Sequence, residues 1–378
     1  MKYLNSLNHY RAIAIIFIVA VHTRYVSDVQ LDTVMGKLFY NAISGSTLNF
    51  SFISGFLFYI VLYKRYKYSN FLKARVDRFL KPYLFLSILP ILVCLITIPT
   101  YWDNSNLVAN SGLPWYLVST FKYLISGAHI TAYWYIPFVL IMAVMSPLHV
   151  AFIKLKLKQQ LIIFSVLLII ASFVQRPYTR TFVFQAIQAV VYFTPLYLMG
   201  MICAIHKNRI YALLKGKEIY LLTIVVLFVV LQTNMGHVGL YKNQFLTYNG
   251  VDMLVFKMVF VCLFFMVWLH RFEHFKSRII DNIANTSFAI YFLHVYVLKL
   301  IFVIKYHFNL SFEDYSVLVY AIIIALLVGV SMLIAITTNK LFPNHSFMLI
   351  GYGKKPKKTV NEDKSTISVI PQNEYRNT

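Results

Sequence analysis

An arginine and a histidine lie eleven residues apart in an otherwise apolar segment near the start of the chain. Arg11 and His22 flank the run Ala-Ile-Ala-Ile-Ile-Phe-Ile-Val-Ala-Val. In a helix, eleven residues turn about 1,100°, roughly 20° beyond three full turns, so both side chains share one face about 16 Å apart. This stripe suits a long anionic molecule that enters at the arginine and reaches the histidine. The alternatives are a charged anchor at a helix end and a histidine hydrogen-bonded to a neighbouring helix.

A second histidine lies in another apolar segment, at the end of the run Tyr291-Phe292-Leu293-His294. Ionisable groups inside hydrocarbon are costly, so each of them is a candidate for function. His294 lies about 13 Å along its predicted helix, a depth at which it can approach His22. An interhelical hydrogen bond is the alternative interpretation.

A further candidate is a group of four basic residues within nine positions, namely Lys73, Arg75, Arg78 and Lys81. Arginine forks and lysine point charges both suit phosphate oxygens, so the segment is a candidate phosphate site. Clusters of this kind also follow from membrane topology or bind anionic lipids. Lys257, near one end of a later apolar run, is expected to extend to the membrane interface.

Aromatic residues concentrate in the segments between apolar runs: Tyr101, Trp102, Trp115, Tyr116, Tyr133, Trp134 and Tyr135. They are typical of an interfacial aromatic belt and would equally provide a surface on which a sugar stacks. Trp134 is the candidate for contact with a substrate.

The chain that must position these residues is a membrane protein by composition. Of its 378 residues, 59% are hydrophobic and 13% are charged, and the mean hydropathy is +0.67. A soluble domain is about 45–50% apolar and about 25% charged, so soluble enzyme folds are excluded. Apolar runs near the length of a membrane-crossing helix lie at 12–27, 42–62, 83–100, 133–151, 161–175, 183–203, 219–234, 251–269, 285–304 and 315–338. They predict an all-α polytopic fold with about ten transmembrane helices.

The distribution of charge gives an orientation. With ten spans and a cytoplasmic N-terminus, 26 of the 35 basic residues fall on the cytoplasmic side, as the positive-inside rule requires. The net charge of +22 is therefore mainly a topology signal, and nucleic acid is not an expected partner. We expect both termini in the cytoplasm, no cleaved signal peptide, a membrane-embedded domain over residues 1–340, and a flexible basic cytoplasmic tail over 341–378.

Other features narrow the class of function. Three cysteines, Cys94, Cys203 and Cys262, lie singly in apolar runs, so neither a disulfide framework nor a metal site is expected. No Asp or Glu falls in the centre of a predicted span, which disfavours a proton-coupled carrier. The sequence also lacks the paired broken helices of inverted-repeat transporters.

In the order of its motifs, the sequence resembles the acyltransferase 3 family of integral-membrane acyltransferases over roughly residues 5–340. The family pattern of an arginine, ten residues and a histidine is matched by Arg11 and His22. The pattern Phe-x-Ser-Gly-Phe is matched at 52–56, and the basic stretch ending in proline at 73–82. The fourth-helix aromatic sequence is similar to Tyr133-Trp134-Tyr135-Ile136-Pro137, and the late Tyr-x-x-His to Tyr291 and His294.

The resemblance implies transfer of an acyl group, most often acetyl from acetyl-CoA, to a hydroxyl of a carbohydrate or lipid-linked glycan. His22 would act as a general base or as a transient acyl acceptor. Arg11 would orient the donor or neutralise charge developing on the thioester. The four basic residues of 73–81 would bind the phosphates of acyl-CoA, and Trp134 and His294 would contact the substrate.

The hypothesis is therefore a multi-pass O-acyltransferase of the bacterial inner membrane that acts on a cell-envelope carbohydrate. The alternative is a polysaccharide exporter or flippase without chemistry of its own, since fold alone does not decide function. Nothing in the sequence favours a structural or sensory role. The expected partners are membrane lipids and the glycan, with a homo-oligomer or glycan-assembly proteins as further candidates.

Overall fold

The computed structural model describes residues 4–24, 26–102, 112–177, 185–244, 247–313 and 316–353. The described part of the chain is helical almost throughout, so the predicted all-α class is confirmed there. Its helices are α1 (Asn5–Thr23), α2 (Val34–Ile43), α3 (Ser46–Leu57), α4 (Tyr68–Arg75), α5 (Lys81–Thr97), α6 (Gly112–Ser126), α7 (Tyr135–Val144), α8 (Ser146–Ile153), α9 (Leu157–Val174), α10 (Gln185–Ile205), α11 (Lys207–Leu214), α12 (Glu218–Asn234), α13 (Met253–His270), α14 (Arg278–His307), α15 (Ser316–Leu341) and α16 (Ser346–Ile350).

Short irregular elements interrupt or join these helices. Two π-helical turns follow α3 and α4, at Phe58–Leu62 and Val76–Leu80. Short 3₁₀ turns occupy Tyr63–Arg65 and Pro99–Tyr101. Strands β1 (Arg176–Pro177) and β2 (Lys242–Asn243) pair in parallel and join two loops that are distant in sequence.

Seven helical segments among the described residues are long and apolar enough to cross a membrane, and the bent pair of α7 and α8 makes an eighth. The seven are Val34–Arg65, Tyr68–Thr97, Leu157–Val174, Gln185–Ile205, Met253–His270, Arg278–His307 and Ser316–Leu341. The bend between α7 and α8 is 59°. The chain is therefore a multi-pass membrane protein, while the count of ten spans and the cytoplasmic termini stay predictions.

The two remaining apolar runs also form helices. Helix α12 is apolar but has only 17 residues. Helix α1 is polar in its first half, where other helices satisfy its groups: the Asn5 backbone N–H donates to Glu273 at 2.7 Å, and the Asn8 amide to Asp281 at 3.1 Å. Helix α1 is thus an interior helix whose polar atoms bond to protein, which spares them contact with hydrocarbon.

Helix α10 is the centre of the bundle and is buried along most of its length. It packs on α3 through two glycines, because a β-carbon at Gly55 would overlap the Tyr197 carbonyl and one at Gly200 would overlap the Phe52 carbonyl. Small residues that let two backbones approach closely are a usual basis of helix association in membranes. The Phe-x-Ser-Gly-Phe segment therefore has a packing role.

The bundle has two ends that differ in their polar contacts. Helix α1 begins at the end where α13 finishes and α14 starts, and we call this the α1-start end. At the opposite end, Asp252 caps α13 and accepts a hydrogen bond from Tyr192 at 2.8 Å. Lys257 was expected to reach the interface, but it is fully buried and donates to the backbone carbonyls of Asn41 and Ser44. Carbonyls at the end of α2, where helical partners run out, satisfy the ammonium inside the bundle.

Residues beyond α15 begin with an ordered segment. Ile350 of α16 is buried in a small cluster with Ala289, Leu293 and Ala335. Residues 354–378, which contain most of the predicted tail, lie outside the described residues.

Candidate active site

A cavity of about 260 Å³ lies near the α1-start end, and we call it the Arg11 cavity. Its walls come from α1, α3, α4, α7, α10 and α14 and from both π-helical turns. Arg11 lines it and donates from Nη2 to Ser287 Oγ at 3.1 Å. Because α1 is continuous from Asn5 to Thr23, the predicted placement of Arg11 and His22 on one helix is confirmed.

Arg75 and Arg78 line the same cavity. The Arg75 guanidinium lies 4.7 Å from the centroid of the Phe71 ring, and its buried Nε has no hydrogen-bond partner among the described residues. Arg78 lies in the π-helical turn Val76–Leu80, 6.0 Å from the ring of Phe288. Turns of this rare kind are frequent at functional sites. Three arginines therefore line one cavity.

The other two members of the predicted basic cluster lie elsewhere. Lys73 and Lys81 are both exposed and are not among the residues that line the Arg11 cavity. Lys81 forms an ion pair with Asp77 at 2.7 Å, one helical turn away. The structure thus brings together the two arginines of the cluster and separates them from the two lysines.

A second cavity of about 420 Å³, the His22 cavity, opens toward the opposite end. His22 lines it, and the ring centroids of His22 and His294 are 5.4 Å apart. His294 is fully buried, and its Nδ1 lies 2.9 Å from the Ile290 carbonyl. A carbonyl only accepts, so Nδ1 carries the proton and Nε2 presents a lone pair. That Nε2 has no hydrogen-bond partner in the described part of the chain.

Trp134 also lines the His22 cavity, but its ring already has two contacts. It stacks on Phe193 with centroids 5.4 Å apart, and the Arg176 guanidinium lies 4.4 Å from the Trp134 centroid. Trp134 therefore holds Arg176 at the cavity wall by a cation–π contact.

Neutral ionisable groups complete the wall of the His22 cavity. His237 and Tyr241 line it, with ring centroids stacked 3.5 Å apart. Burial lowers the pKa of His237 and raises the pKa of Tyr241 to about 12. Both side chains are therefore uncharged at neutral pH, where they supply polar atoms but no charge.

Among the described residues, the two cavities share one, Tyr135, which lines both of them. Tyr135 is the first residue of α7, it is buried, and its ring centroid lies 5.7 Å from that of Tyr291. Tyr291 lines the His22 cavity and contacts His294 at 6.3 Å between centroids. Tyr135 therefore lies between the two cavities, of which one is lined by Arg11 and the other by His22.

A family model described as an acyltransferase domain, that of acyltransferase 3, matches residues 4–337. The chain belongs to the acyltransferase 3 family. No curated protein and no solved structure is significantly similar to it. Membership implies acyl transfer by a multi-pass membrane protein.

In this acyltransferase 3 protein, the family pattern of an arginine, ten residues and a histidine extends from one cavity to the other, past Tyr135. Each end of the pattern lines one cavity, so one helix serves two compartments. Among the described residues, no group of three His, Cys, Asp or Glu side chains is placed to hold a metal ion. His22 and Arg11 are of residue types that can supply proton transfer, nucleophilic attack and charge stabilisation.

Sequence reasoning missed several residues of this site. Tyr135 lies within a recognised motif, but no spacing rule shows that it lines two cavities. Arg24 and Arg176 line the His22 cavity, and neither belongs to a motif. Their signal in the sequence is weak: each is a basic residue on the side where the charge distribution predicts few.

Proposed function

We propose that this protein is an O-acyltransferase that moves an acyl group from cytosolic acyl-CoA, with acetyl-CoA as the first donor to test, to a hydroxyl of a cell-envelope carbohydrate. The observation that supports this is the pair of cavities divided by Tyr135, one lined by three arginines and the other by His22. A donor with several phosphates fits the first, and a polar acceptor fits the second.

The donor would occupy the Arg11 cavity. Acyl-CoA carries about four negative charges, and guanidinium groups bind phosphate oxygens through paired hydrogen bonds. Arg75 offers a buried Nε without a partner among the described residues, and Arg78 lies beside it. The acyl end of the donor would extend toward Tyr135, along the face of α1 that leads to His22.

Two routes complete the transfer, and both have the same overall reactants and products. In the direct route, the acceptor oxygen attacks the thioester carbonyl, His22 removes the hydroxyl proton, and the CoA thiolate leaves and receives that proton. In the covalent route, a nitrogen of His22 attacks the thioester and CoA leaves as the thiolate; the acceptor hydroxyl then attacks the acyl-imidazole, His22 is released, and the hydroxyl proton ends on the CoA thiolate. An ester forms and a thioester breaks in both cases.

The side of the membrane from which each substrate enters follows from the two ends of the bundle. With the predicted topology, the Arg11 cavity faces the cytoplasm and the His22 cavity faces the outside of the inner membrane. The acceptor would then be a polysaccharide in export or a lipid-linked sugar already flipped to the outer face.

The test uses purified full-length protein in sealed vesicles of known orientation. Radiolabelled acetyl-CoA is added to the side of the vesicle membrane that the α1-start end faces. An envelope glycan preparation is added to that side or to the opposite side. We expect labelled glycan only when donor and acceptor are on opposite sides. Free CoA thiol should appear in equal amount.

Two results would overturn the proposal in different ways. Transfer only to acceptor on the donor side would make the enzyme a one-sided transferase and remove the through-membrane route. Transport of unmodified glycan without release of CoA would favour the exporter. A mass increment of one acyl group on His22 in the absence of acceptor would select the covalent route over the direct one.

A further inference from the structure

The His22 cavity carries three basic residues of its own, separate from those of the Arg11 cavity. Arg24, Arg176 and Lys242 line it, and no aspartate or glutamate is among its lining residues in the described part of the chain. Under the predicted topology only nine of the 35 basic residues face this side, so three in one cavity is a marked concentration. Topology does not explain these charges.

The local structure holds two of these cations side by side. Arg176 and Lys242 are register partners in the parallel pair of β1 and β2, which joins two loops 66 positions apart. Two basic residues on directly paired strands can contact one anionic group together.

The backbone before Arg176 is strained. Gln175 is buried and has φ 58° and ψ −177°, a region used almost only by glycine. Its side-chain amide donates to the carbonyls of Asn249 at 2.8 Å and Gly250 at 3.0 Å. Such strain persists where the surroundings hold it, and here it places Arg176 at the cavity wall.

Aromatic rings hold both guanidinium groups. Arg176 lies over Trp134, and Arg24 lies 4.8 Å from the centroid of Tyr40, which also lines the cavity. A planar cation fixed over a ring loses less freedom when it binds an anion. Positioned cations, strained backbone and a cavity without acidic side chains among the described residues all indicate one ligand chemistry.

We propose that the acceptor is an anionic carbohydrate, whose carboxylate or phosphate is bound by Arg176, Lys242 and Arg24 while a neighbouring hydroxyl reaches His22. This inference rests on the proposed function for its hydroxyl transfer, but the anion site itself is testable by binding alone. Trp134 and Tyr40 are positioning residues for the two arginines.

The test measures binding and transfer separately on full-length protein in lipid nanodiscs. Three oligosaccharides of equal length serve as probes: one with hexuronic acid carboxylates, one with phosphate esters, and the neutral product of carboxyl reduction. We expect at least one acidic probe to bind roughly tenfold more tightly than the neutral one, which corresponds to about 1.4 kcal/mol. The acidic probe that binds more tightly identifies the anion.

Variants locate the site. Arg176→Gln and Lys242→Gln should each weaken binding of the acidic probe by about tenfold and leave the neutral probe unchanged, since a charged hydrogen bond contributes about this much. Lys242 is exposed, so its substitution does not threaten folding. Lys299→Gln removes an exposed lysine near the same end that does not line the cavity, and it should bind both probes like the wild type.

The outcomes separate this inference from the proposed function. Tight binding of an acidic probe without acyl transfer to any probe would support the anion site and overturn the transfer. Acyl transfer to the neutral probe, with no preference for either acidic probe, would support the transfer and overturn the anion site. Absence of binding by both acidic probes, or equal losses in Lys299→Gln, overturns the anion site.

Discussion

The imidazole ring centroids of His22 and His294 lie 5.4 Å apart, with an angle of 45° between the rings, although the two residues are 272 positions apart in the chain. His294 is fixed by its hydrogen bond to the Ile290 carbonyl and presents Nε2 as an acceptor. His22 therefore lines a cavity and has an oriented histidine beside it. This relationship makes His294 a candidate positioning residue for His22.

We expect His22→Ala to lower acyl transfer by about 10²-fold or more, the usual contribution of a positioned general base. The variant should accumulate at wild-type levels, since it removes only a polar group from an apolar helix. Transfer from radiolabelled acetyl-CoA measures the effect. His307→Ala, which alters an exposed histidine at the end of α14, is the matched control. Near-normal activity of His22→Ala would remove the assigned role.

The two arginines and the two lysines of the segment 73–81 should differ in their effect on donor binding. Combined Arg75→Gln and Arg78→Gln should raise KM for acyl-CoA by about tenfold or more with a smaller effect on kcat, since the contacts are far from the reacting carbonyl. Combined Lys73→Gln and Lys81→Gln is the control, because these lysines are exposed and do not line the cavity. Initial rates at several donor concentrations and two salt concentrations decide between them. An equal rise in KM for both pairs would mean that the whole segment attracts the donor by charge alone.

Arg11 should depend on both its charge and its hydrogen bond. Arg11→Ala should lose most activity, while Arg11→Lys should keep a part, because lysine retains the charge but lacks the planar fork. Ser287→Ala removes one hydrogen-bond partner of Arg11, the hydroxyl at 3.1 Å, and tests that hydrogen bond alone. Activity with acetyl-CoA across the three variants gives the ranking. Normal rates in both Arg11 variants would return this residue to the role of a helix anchor.

Gly55 should be sensitive to the addition of one methyl group. Gly55→Ala places a β-carbon on the Tyr197 carbonyl, which is backbone and cannot rotate away, so we expect a loss of about 1–3 kcal/mol of stability. Gly329→Ala is the control, because a β-carbon there has no atom within 4 Å. Thermal unfolding in detergent compares the two. Equal midpoints would show that α3 and α10 separate without cost.

Stability should fall in mild acid through His129. Its Nε2 accepts from Ser87 Oγ at 2.7 Å, its Nδ1 donates to the Tyr123 carbonyl at 3.2 Å, and burial lowers its pKa to about 4. Unfolded histidine titrates near about pH 6.5, so between these values the unfolded state binds more protons. The contribution is complete above pH 6.5 and is lost as pH falls toward 4.

The measurement is the unfolding midpoint of wild type and His129→Gln from pH 7 to 4.5. Glutamine does not titrate, so the variant should begin less stable and change less over this range. A parallel decline in both proteins would assign the acid sensitivity to other groups.

Helical geometry made part of the site predictable from sequence. Eleven residues in a continuous helix fix the common face of Arg11 and His22, and depth along two helices brings His294 near His22. These predictions needed only the rise and turn of a helix, and α1 and α14 are uninterrupted over the relevant segments. The all-α class followed in the same way from the length of the apolar runs.

The rest depended on features without a local signal. The π-helical turn Val76–Leu80 changes the angular spacing after Arg75, so an ideal helix does not show which basic residues share a face. The pairing of Arg176 with Lys242 joins loops whose register is set by tertiary structure. The polar start of α1 is satisfied by Glu273 and Asp281, contacts that a hydropathy average ignores.

The glycine contact between α3 and α10 also has a consequence for biosynthesis. Ser51 Oγ donates to the Phe193 carbonyl at 3.0 Å, so the α3 surface finds its partner only after about 140 further residues have been translated. Until α10 leaves the ribosome, the groove at Gly55 faces lipid or the insertion machinery. The partition between the two cavities can therefore form only late in synthesis, and a nascent chain that ends before Gln185 holds Arg11 and His22 without the compartments they serve.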